Sequence, residues 1–129
     1  MKTKNEYVQE IAGLILQCKK VIENEWEQLV FVFDTADGHV ANSGFLYNRG
    51  KVRPVSAGIE SSPLLLSDTI IELRQAVAVE CGDKFKQFLI QMDKESGRFK
   101  IDFEFDDANR WTIVPSKMKE MREALRPKF

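Results

Sequence analysis

The stretch KFKQFLIQMDKESGRFKIDFEFDD, residues 84–107, determines the fold of this chain. Its last part alternates large apolar side chains with charged ones: Phe99, Ile101, Phe103 and Phe105 alternate with Lys100, Asp102, Glu104 and Asp106. Successive side chains of a strand point to opposite faces of the sheet. The alternation therefore predicts a β-strand with one apolar face and one charged face.

A second run with the same alternation precedes this strand. It spans residues 88–92, and residues 93–97 separate the two runs. Gly97 can supply the positive φ that a short hairpin loop often needs. The stretch therefore predicts a β-hairpin, and we expect its apolar side chains to be buried on a helix-covered face: Phe88, Ile90, Met92, Phe99, Ile101, Phe103 and Phe105.

The charged face of the second strand becomes acidic toward its end. Asp102, Glu104 and Asp106 follow one another on that face, and Asp107 comes directly after them. Same-face neighbours are about 7 Å apart, and unrelieved like charges cost folding stability. We therefore regard these four carboxylates as a candidate binding site. The alternative interpretation is a solvated face whose charges a neighbouring strand partly neutralises.

The remaining sequence predicts helices and strands in a simple order. Apolar residues recur at helical spacing over residues 4–22, and an apolar run at 29–33 is typical of a central strand. The turn signal Asp37-Gly38 leads into strands over 40–47 and 51–56, and Pro54 indicates that the last of these is an edge strand.

Two more helices complete this order. One runs from Leu66 to Cys81, with Ser67 as its N-terminal cap and Gly82 just past its end. The other carries Met118, Met121 and Leu125. The order α-β-β-β-α-β-β-α predicts an α+β fold, a single antiparallel sheet of about five strands with helices packed on one face.

Length and charge limit the classes of function. With 129 residues the chain is expected to form a single domain, residues 1–129. The formal net charge of −1 gives no overall field that would attract nucleic acid or an acidic membrane. We therefore expect no direct nucleic-acid binding and no membrane binding, and any electrostatic function must be local.

The cysteines and the N-terminus indicate a cytoplasmic protein. Cys18 and Cys81 are the only cysteines, and they lack the spacing of metal ligands, so we expect reduced and buried thiols. The N-terminal region is acidic, and its apolar run at 11–16 is short. It predicts neither a signal peptide nor a membrane span.

The sequence contains no motif that indicates catalysis. His39 is the only histidine and lies in a turn signal, so we expect an exposed loop residue rather than a general base. Asp102, Glu104 and Asp106 on one strand would converge poorly on one metal ion. We therefore expect a non-catalytic protein without a cofactor or a metal.

Several segments resemble the YezG-like immunity (antitoxin) family of bacterial polymorphic toxin systems. The resemblance is densest at residues 96–107, SGRFKIDFEFDD, which are similar to the hairpin GKFxIDFxYxD of that family. It extends to the N-terminal helix around Tyr7, to the segment IENEW at 22–26 before the first strand, and to the helix that begins near Leu66.

The resemblance implies an immunity protein that binds and neutralises a cognate toxin domain from the same locus. Such toxins are secreted or delivered by contact in bacterial competition, and many are nucleases. A nuclease cleft is lined with basic residues because it must attract a polyanion. A rigid strand with Asp102, Glu104, Asp106 and Asp107 would occupy that cleft as a phosphate surrogate.

Two other functions stay open at this point. One is a small interaction module or adaptor whose site is a hydrophobic groove beside Trp111, and the other is a small enzyme. The salt dependence of the association rate distinguishes the interaction module from a complex that forms through charge. Only the complex that forms through charge associates more slowly as the salt concentration rises. The sequence leaves open the oligomeric state and whether the middle strands, residues 40–56, take part in binding.

Overall fold

The structure, a computed structural model, describes residues 2–36 and 39–129. The predicted turn at Asp37-Gly38 lies outside the described residues. The helices are α1 (Lys4–Ile15), α2 (Lys19–Glu23), α3 (Leu65–Cys81) and α4 (Met118–Ala124), with a single 3₁₀ turn at Pro115–Lys117. The strands are β1 (Gln28–Asp34), β2 (Ala41–Asn48), β3 (Lys51–Val55), β4 (Gln87–Asp93) and β5 (Phe99–Glu104).

The five strands form one sheet in the order β3-β2-β1-β4-β5, and every neighbouring pair is antiparallel. The α+β class with a single antiparallel five-stranded sheet is therefore confirmed. β1 lies at the centre, and its residues 29–33 are all inaccessible to solvent. A central strand has to be apolar on both faces, which is why its sequence is a continuous apolar run.

The main core lies between one face of the sheet and helices α1 and α3. Phe31, Phe33 and Phe88 project from the sheet into this core and meet Ile11 of α1 and Leu73 of α3. The aromatic rings of Phe33 and Phe88 have centroids 6.0 Å apart. The two long helices thus cover the face that the sequence predicts to be buried.

Helix α4 differs from the predicted arrangement, because it packs on the opposite face of the sheet. Met121 and Leu125 contact a second core that includes Val30 and Val32 of β1 and Leu89 of β4. These strand residues point away from the main core, and without a cover their apolar side chains would be exposed to water.

Two hydrogen bonds attach α4 to the sheet. The Tyr47 hydroxyl donates to the carbonyl oxygen of Arg122 at 2.7 Å, and the Gln91 amide donates to that of Leu125 at 2.9 Å. Burial raises the pKa of Tyr47, so its hydroxyl keeps the proton that this bond needs.

The first helix is shorter than predicted, because the helical pattern over residues 4–22 is interrupted before α2. Cys18 has an extended backbone, and the Lys19 N–H donates to the carbonyl oxygen of Gly58 instead of continuing the helix. The Cys18 thiol is buried and faces the carbonyl oxygen of Leu14. The contact with the loop at Gly58 therefore lies at the start of α2, after the first helix has ended.

Helix α3 begins at a different residue from the predicted one. Leu64 precedes its first turn, and no side chain caps it, so the prediction of Ser67 as the cap is wrong. The predicted end is confirmed, since Gly82 has φ 81° and its N–H donates to the carbonyl oxygen of Ala78. Cys81 is exposed, which corrects the expectation of two buried thiols, and both cysteines are free.

The predicted hairpin is confirmed as β4 and β5, with Gly97 at φ 71° in the connection. The register places Phe88 opposite Phe103 and Ile90 opposite Ile101. The four apolar side chains of the second run lie on the predicted face, but they are half-buried rather than buried: Phe99, Ile101, Phe103 and Phe105. β5 is an edge strand, so no further strand covers their outer side.

The other edge strand, β3, is short and has charged or proline residues. Pro54 lies opposite Phe45 of β2, which confirms the prediction of an edge strand. Proline has no N–H to offer to another strand, and Lys51 and Arg53 beside it are exposed. This edge is therefore protected against pairing with another chain.

Candidate functional site

The acidic residues occupy the end of β5 and the bend that follows it. Asp102 and Glu104 lie on the sheet face opposite to Phe103, and their partners across β4 are Leu89 and Gln87. β5 ends at Glu104, so Asp106 and Asp107 belong to the bend rather than to the strand. We refer to Asp102, Glu104, Asp106 and Asp107 together as the acidic edge.

Glu104 has a structural role within the acidic edge. One of its carboxylate oxygens accepts the backbone N–H groups of Asp106 and Asp107 at 2.9 and 3.0 Å. The other accepts a hydrogen bond from the Arg110 guanidinium at 2.9 Å, and only 12% of the side chain is exposed. The pKa of Glu104 is lowered from 4.5 to about 2. The largest cause is the hydrogen bond from the Asp107 N–H, and those from the Asp106 N–H and from Arg110 follow.

The other three carboxylates of the acidic edge are exposed to solvent. Asp102 accepts the backbone N–H of the next residue, Phe103, at 2.9 Å. Asp107 accepts the N–H of Asn109 at 2.9 Å and so shapes the bend. Three of the four predicted site residues are therefore placed where a partner could reach them, whereas Glu104 holds the bend together.

Two basic residues from outside β5 contact the acidic edge. Arg110 pairs with Glu104, and the Lys86 ammonium donates to the carbonyl oxygen of Asp106 at 2.9 Å. The hairpin register would have placed Lys86 near the end of β5, whereas only the path of the later loop brings in Arg110. Four carboxylates and two cations leave this surface acidic, but less so than the sequence alone indicates.

Trp111 is a residue of the second core. Its side chain is 6% exposed and belongs to the second core with Leu89 and Met121. Its backbone N–H donates to the buried Gln87 side chain at 2.9 Å, and the Arg110 guanidinium lies over its ring, 4.9 Å from the centroid. The indole is thus already covered within the chain.

His39 is exposed, as the sequence predicts. It lines a cleft of about 440 Å³ together with Asp34 and Thr112. The Asp34 carboxylate accepts a hydrogen bond from the Gln87 amide, which in turn bonds the Thr112 hydroxyl at 3.2 Å. Gln87 and Thr112 come from distant parts of the sequence, and the fold brings them close to Asp34 and His39.

A second, polar cleft of about 450 Å³ lies at the end of the sheet where the β2–β3 turn and the β4–β5 turn come together. Trp26 and Tyr47 form its aromatic part, with Lys94 over the first ring and Arg126 over the second. Asp93 is held by the Ser96 N–H and the Gln28 amide. No local pattern in the sequence predicts this cleft.

Within residues 2–36 and 39–129, no group of three or more His, Cys, Asp or Glu side chains is arranged to hold a metal ion. No helix in the same part of the chain has the length and apolar character that crossing a membrane requires.

No protein-family model matches the sequence, and no curated protein matches it significantly.

Proposed function

We propose that this chain is an immunity-type protein that neutralises a toxin domain by stoichiometric binding, with the acidic edge as its contact surface. One observation carries the proposal: Asp102, Asp106 and Asp107 are exposed around the end of an edge strand. The similarity of residues 96–107 to the hairpin of the YezG-like immunity family supports the same function. The partner we propose is a toxin domain from the same locus, and the expected class is a nuclease.

Rigidity of the acidic edge favours binding. Glu104 fixes the bend by accepting the N–H groups of Asp106 and Asp107, and its low pKa keeps it ionised even in acid that would protonate an ordinary glutamate. On the other face, Phe103 stacks on Phe85 with centroids 5.1 Å apart. A surface that is already ordered loses little conformational entropy when a partner binds.

Charge supports a basic partner. The exposed carboxylates are separated along a strand and a bend, as phosphates are separated along a nucleic-acid backbone. A nuclease cleft built to hold phosphates carries Lys and Arg residues that would accept such carboxylates. Complementary charge also accelerates encounter, which is useful against a toxin that acts quickly.

The proposal is tested by growth protection. The neighbouring reading frame is searched for the proposed C-terminal toxin domain, and that domain is expressed in a host together with the wild-type chain or with Asp102→Lys/Asp106→Lys. Glu104 is left unchanged because its loss would alter the bend. We expect the wild type to protect the host and the double reversal to lose protection at equal protein level.

The matched control is Glu25→Lys/Glu120→Lys, which changes the charge equally at two exposed positions outside the acidic edge. This control should protect as well as the wild type. Full protection by the Asp102→Lys/Asp106→Lys chain would contradict the proposed contact surface. Protection by far less chain than toxin would instead favour an enzyme.

A further inference from the structure

The outer side of β5 is an open strand edge. β5 is the last strand of the sheet, and the Asp93 N–H donates to the carbonyl oxygen of Arg98 across the hairpin. Backbone groups alternate in direction along an antiparallel strand, so with the observed register those of Lys100 and Asp102 face β4. The N–H and C=O groups of Phe99, Ile101 and Phe103 therefore point away from the sheet.

The apolar face of β5 is incomplete on the same side. Phe99, Ile101 and Phe103 pack against the main core but are only half-buried. Their strand partners Met92, Ile90 and Phe88 are buried, since each has a strand on both sides. A further strand beside β5 would cover the half-buried row.

The charges along β5 of one copy are complementary to those along β5 of a second, antiparallel copy. In an antiparallel pair of two β5 strands centred on Ile101, Lys100 of one copy lies opposite Asp102 of the other, and Arg98 lies opposite Glu104. Phe99 then faces Phe103, and Ile101 faces its own copy, so apolar residues meet only apolar residues. By symmetry each of these charge pairs occurs twice.

Other symmetric registers are less favourable. A register centred on Phe99 places Arg98 opposite Lys100. A register centred on Phe103 places Asp102 opposite Glu104. Centres at Lys100 or Asp102 place that residue opposite itself. Among the registers centred on residues 99–103, the one centred on Ile101 alone has no like charges opposite each other, and like charges directly opposite are destabilising.

We propose that two copies of this chain pair through β5, antiparallel and centred on Ile101, to form one continuous ten-stranded sheet. The backbone supports this register, because Ile101 is one of the residues whose N–H and C=O point outward, and two such residues opposite each other exchange both hydrogen bonds. β3 is unsuited to such pairing because of Pro54.

Pairing requires one local rearrangement. The Phe103 N–H, one of the outward groups, is bonded to the Asp102 carboxylate within the chain. In the dimer this N–H donates to Phe99 of the second copy, and the Asp102 carboxylate turns to Lys100 of that copy. Lys100 in turn leaves the carbonyl oxygen of Lys128 and the ring of Phe129. The exchange keeps every one of these polar groups bonded except the Lys128 carbonyl, which solvent can reach.

Charge reversal tests this pairing with the full chain. Sedimentation equilibrium in low salt is measured for the wild type, for Lys100→Asp and for Asp102→Lys, each up to about 1 mM. We expect the wild type to reach twice the 14.9 kDa mass of the chain. Each reversal places like charges opposite each other twice, so we expect the dimer dissociation constant to rise about tenfold or more.

A mixture of the two variants gives the decisive result. Lys100→Asp paired with Asp102→Lys again places opposite charges across the edge at both positions. We expect the mixture to form a heterodimer whose dissociation constant is within about threefold of the wild-type value. Lys119→Asp and Glu120→Lys, on exposed positions of α4, serve as controls and should dimerise as the wild type does.

The proposal is overturned by a wild type that stays monomeric at about 1 mM, by a dimer that both reversals leave unchanged, or by a mixture no stronger than its components. Circular dichroism of each variant verifies folding. Where a charge reversal unfolds the chain, the neutral variant at the same position replaces it, Lys100→Gln or Asp102→Asn. The dimer occupies Asp102, whereas Asp106 and Asp107 stay exposed outside the paired segment, so Asp106→Lys should weaken toxin binding without altering the dimer. The two proposals can therefore fail separately.

Discussion

At the scale of single residues, Glu104 differs from the other carboxylates of the acidic edge because three donors surround it. The alternating pattern of the sequence treats Asp102, Glu104 and Asp106 alike. The bend after β5 distinguishes them, since it turns two backbone N–H groups toward Glu104. A strand pattern contains no information about such a bend, so the role of Glu104 could not be predicted.

The low pKa of Glu104 predicts an acid-dependent loss of stability. Between pH 4.5 and about 2 the folded state binds fewer protons at this residue than the unfolded state does. Its contribution to stability is therefore complete above pH 4.5 and is lost as the pH falls toward 2. Urea unfolding of the wild type and of Glu104→Gln over this range measures the effect.

We expect Glu104→Gln to be less stable than the wild type at pH 7 and the difference to close near pH 2. Glu120→Gln, at an exposed position of α4, is the matched control and should follow the wild type throughout. A constant difference between Glu104→Gln and the wild type at every pH would show that the carboxylate charge is not involved.

At the scale of elements, the hairpin is the part of the fold that the sequence predicts best. Alternation over residues 99–105 specifies which side chains share a face, and Gly97 specifies the turn. The alternation of apolar and charged residues does not indicate whether a strand has one neighbouring strand or two. The position of β5 at the edge, and hence the partial burial of Phe103, depends on strand order, which non-local packing determines.

This difference predicts unequal costs for two truncations in neighbouring positions. Phe88 is inaccessible to solvent and Phe103 is half-buried, although they lie opposite each other with ring centroids 5.4 Å apart. We expect Phe88→Ala to lower the free energy of unfolding by about 3–5 kcal/mol and Phe103→Ala by clearly less. Equal losses in urea unfolding would mean that Phe103 is covered in solution.

At the scale of the whole molecule, one sheet with two long helices on one face follows from the order of elements in the sequence. The place of α4 does not follow from that order. Apolar residues on both faces of β1 indicate two covered faces, but the pattern does not tell which helix covers which face. The burial of Trp111 likewise does not follow from that order, because it depends on the loop that joins β5 to α4.

The placement of the acidic residues could be predicted in part, whereas their role as a binding site stays a prediction. Sequence alternation identified the acidic residues, and the structure exposes three of them at the end of an edge strand. The cations Lys86 and Arg110 were missed because they come from other segments. These two cations halve the negative charge of the acidic edge. Asp102 and Asp106 have exposed carboxylates, so substitutions there test binding to a partner.

The most direct test of the proposed function is a calorimetric titration of this chain with the toxin domain that we propose as its partner, sought in the reading frame beside its gene. We expect a one-to-one complex whose affinity falls as salt rises. Asp102→Lys/Asp106→Lys should weaken the complex about 100-fold, while its urea unfolding stays close to that of the wild type. Unchanged affinity of the folded double variant across the same range of salt would contradict the acidic edge as the contact surface.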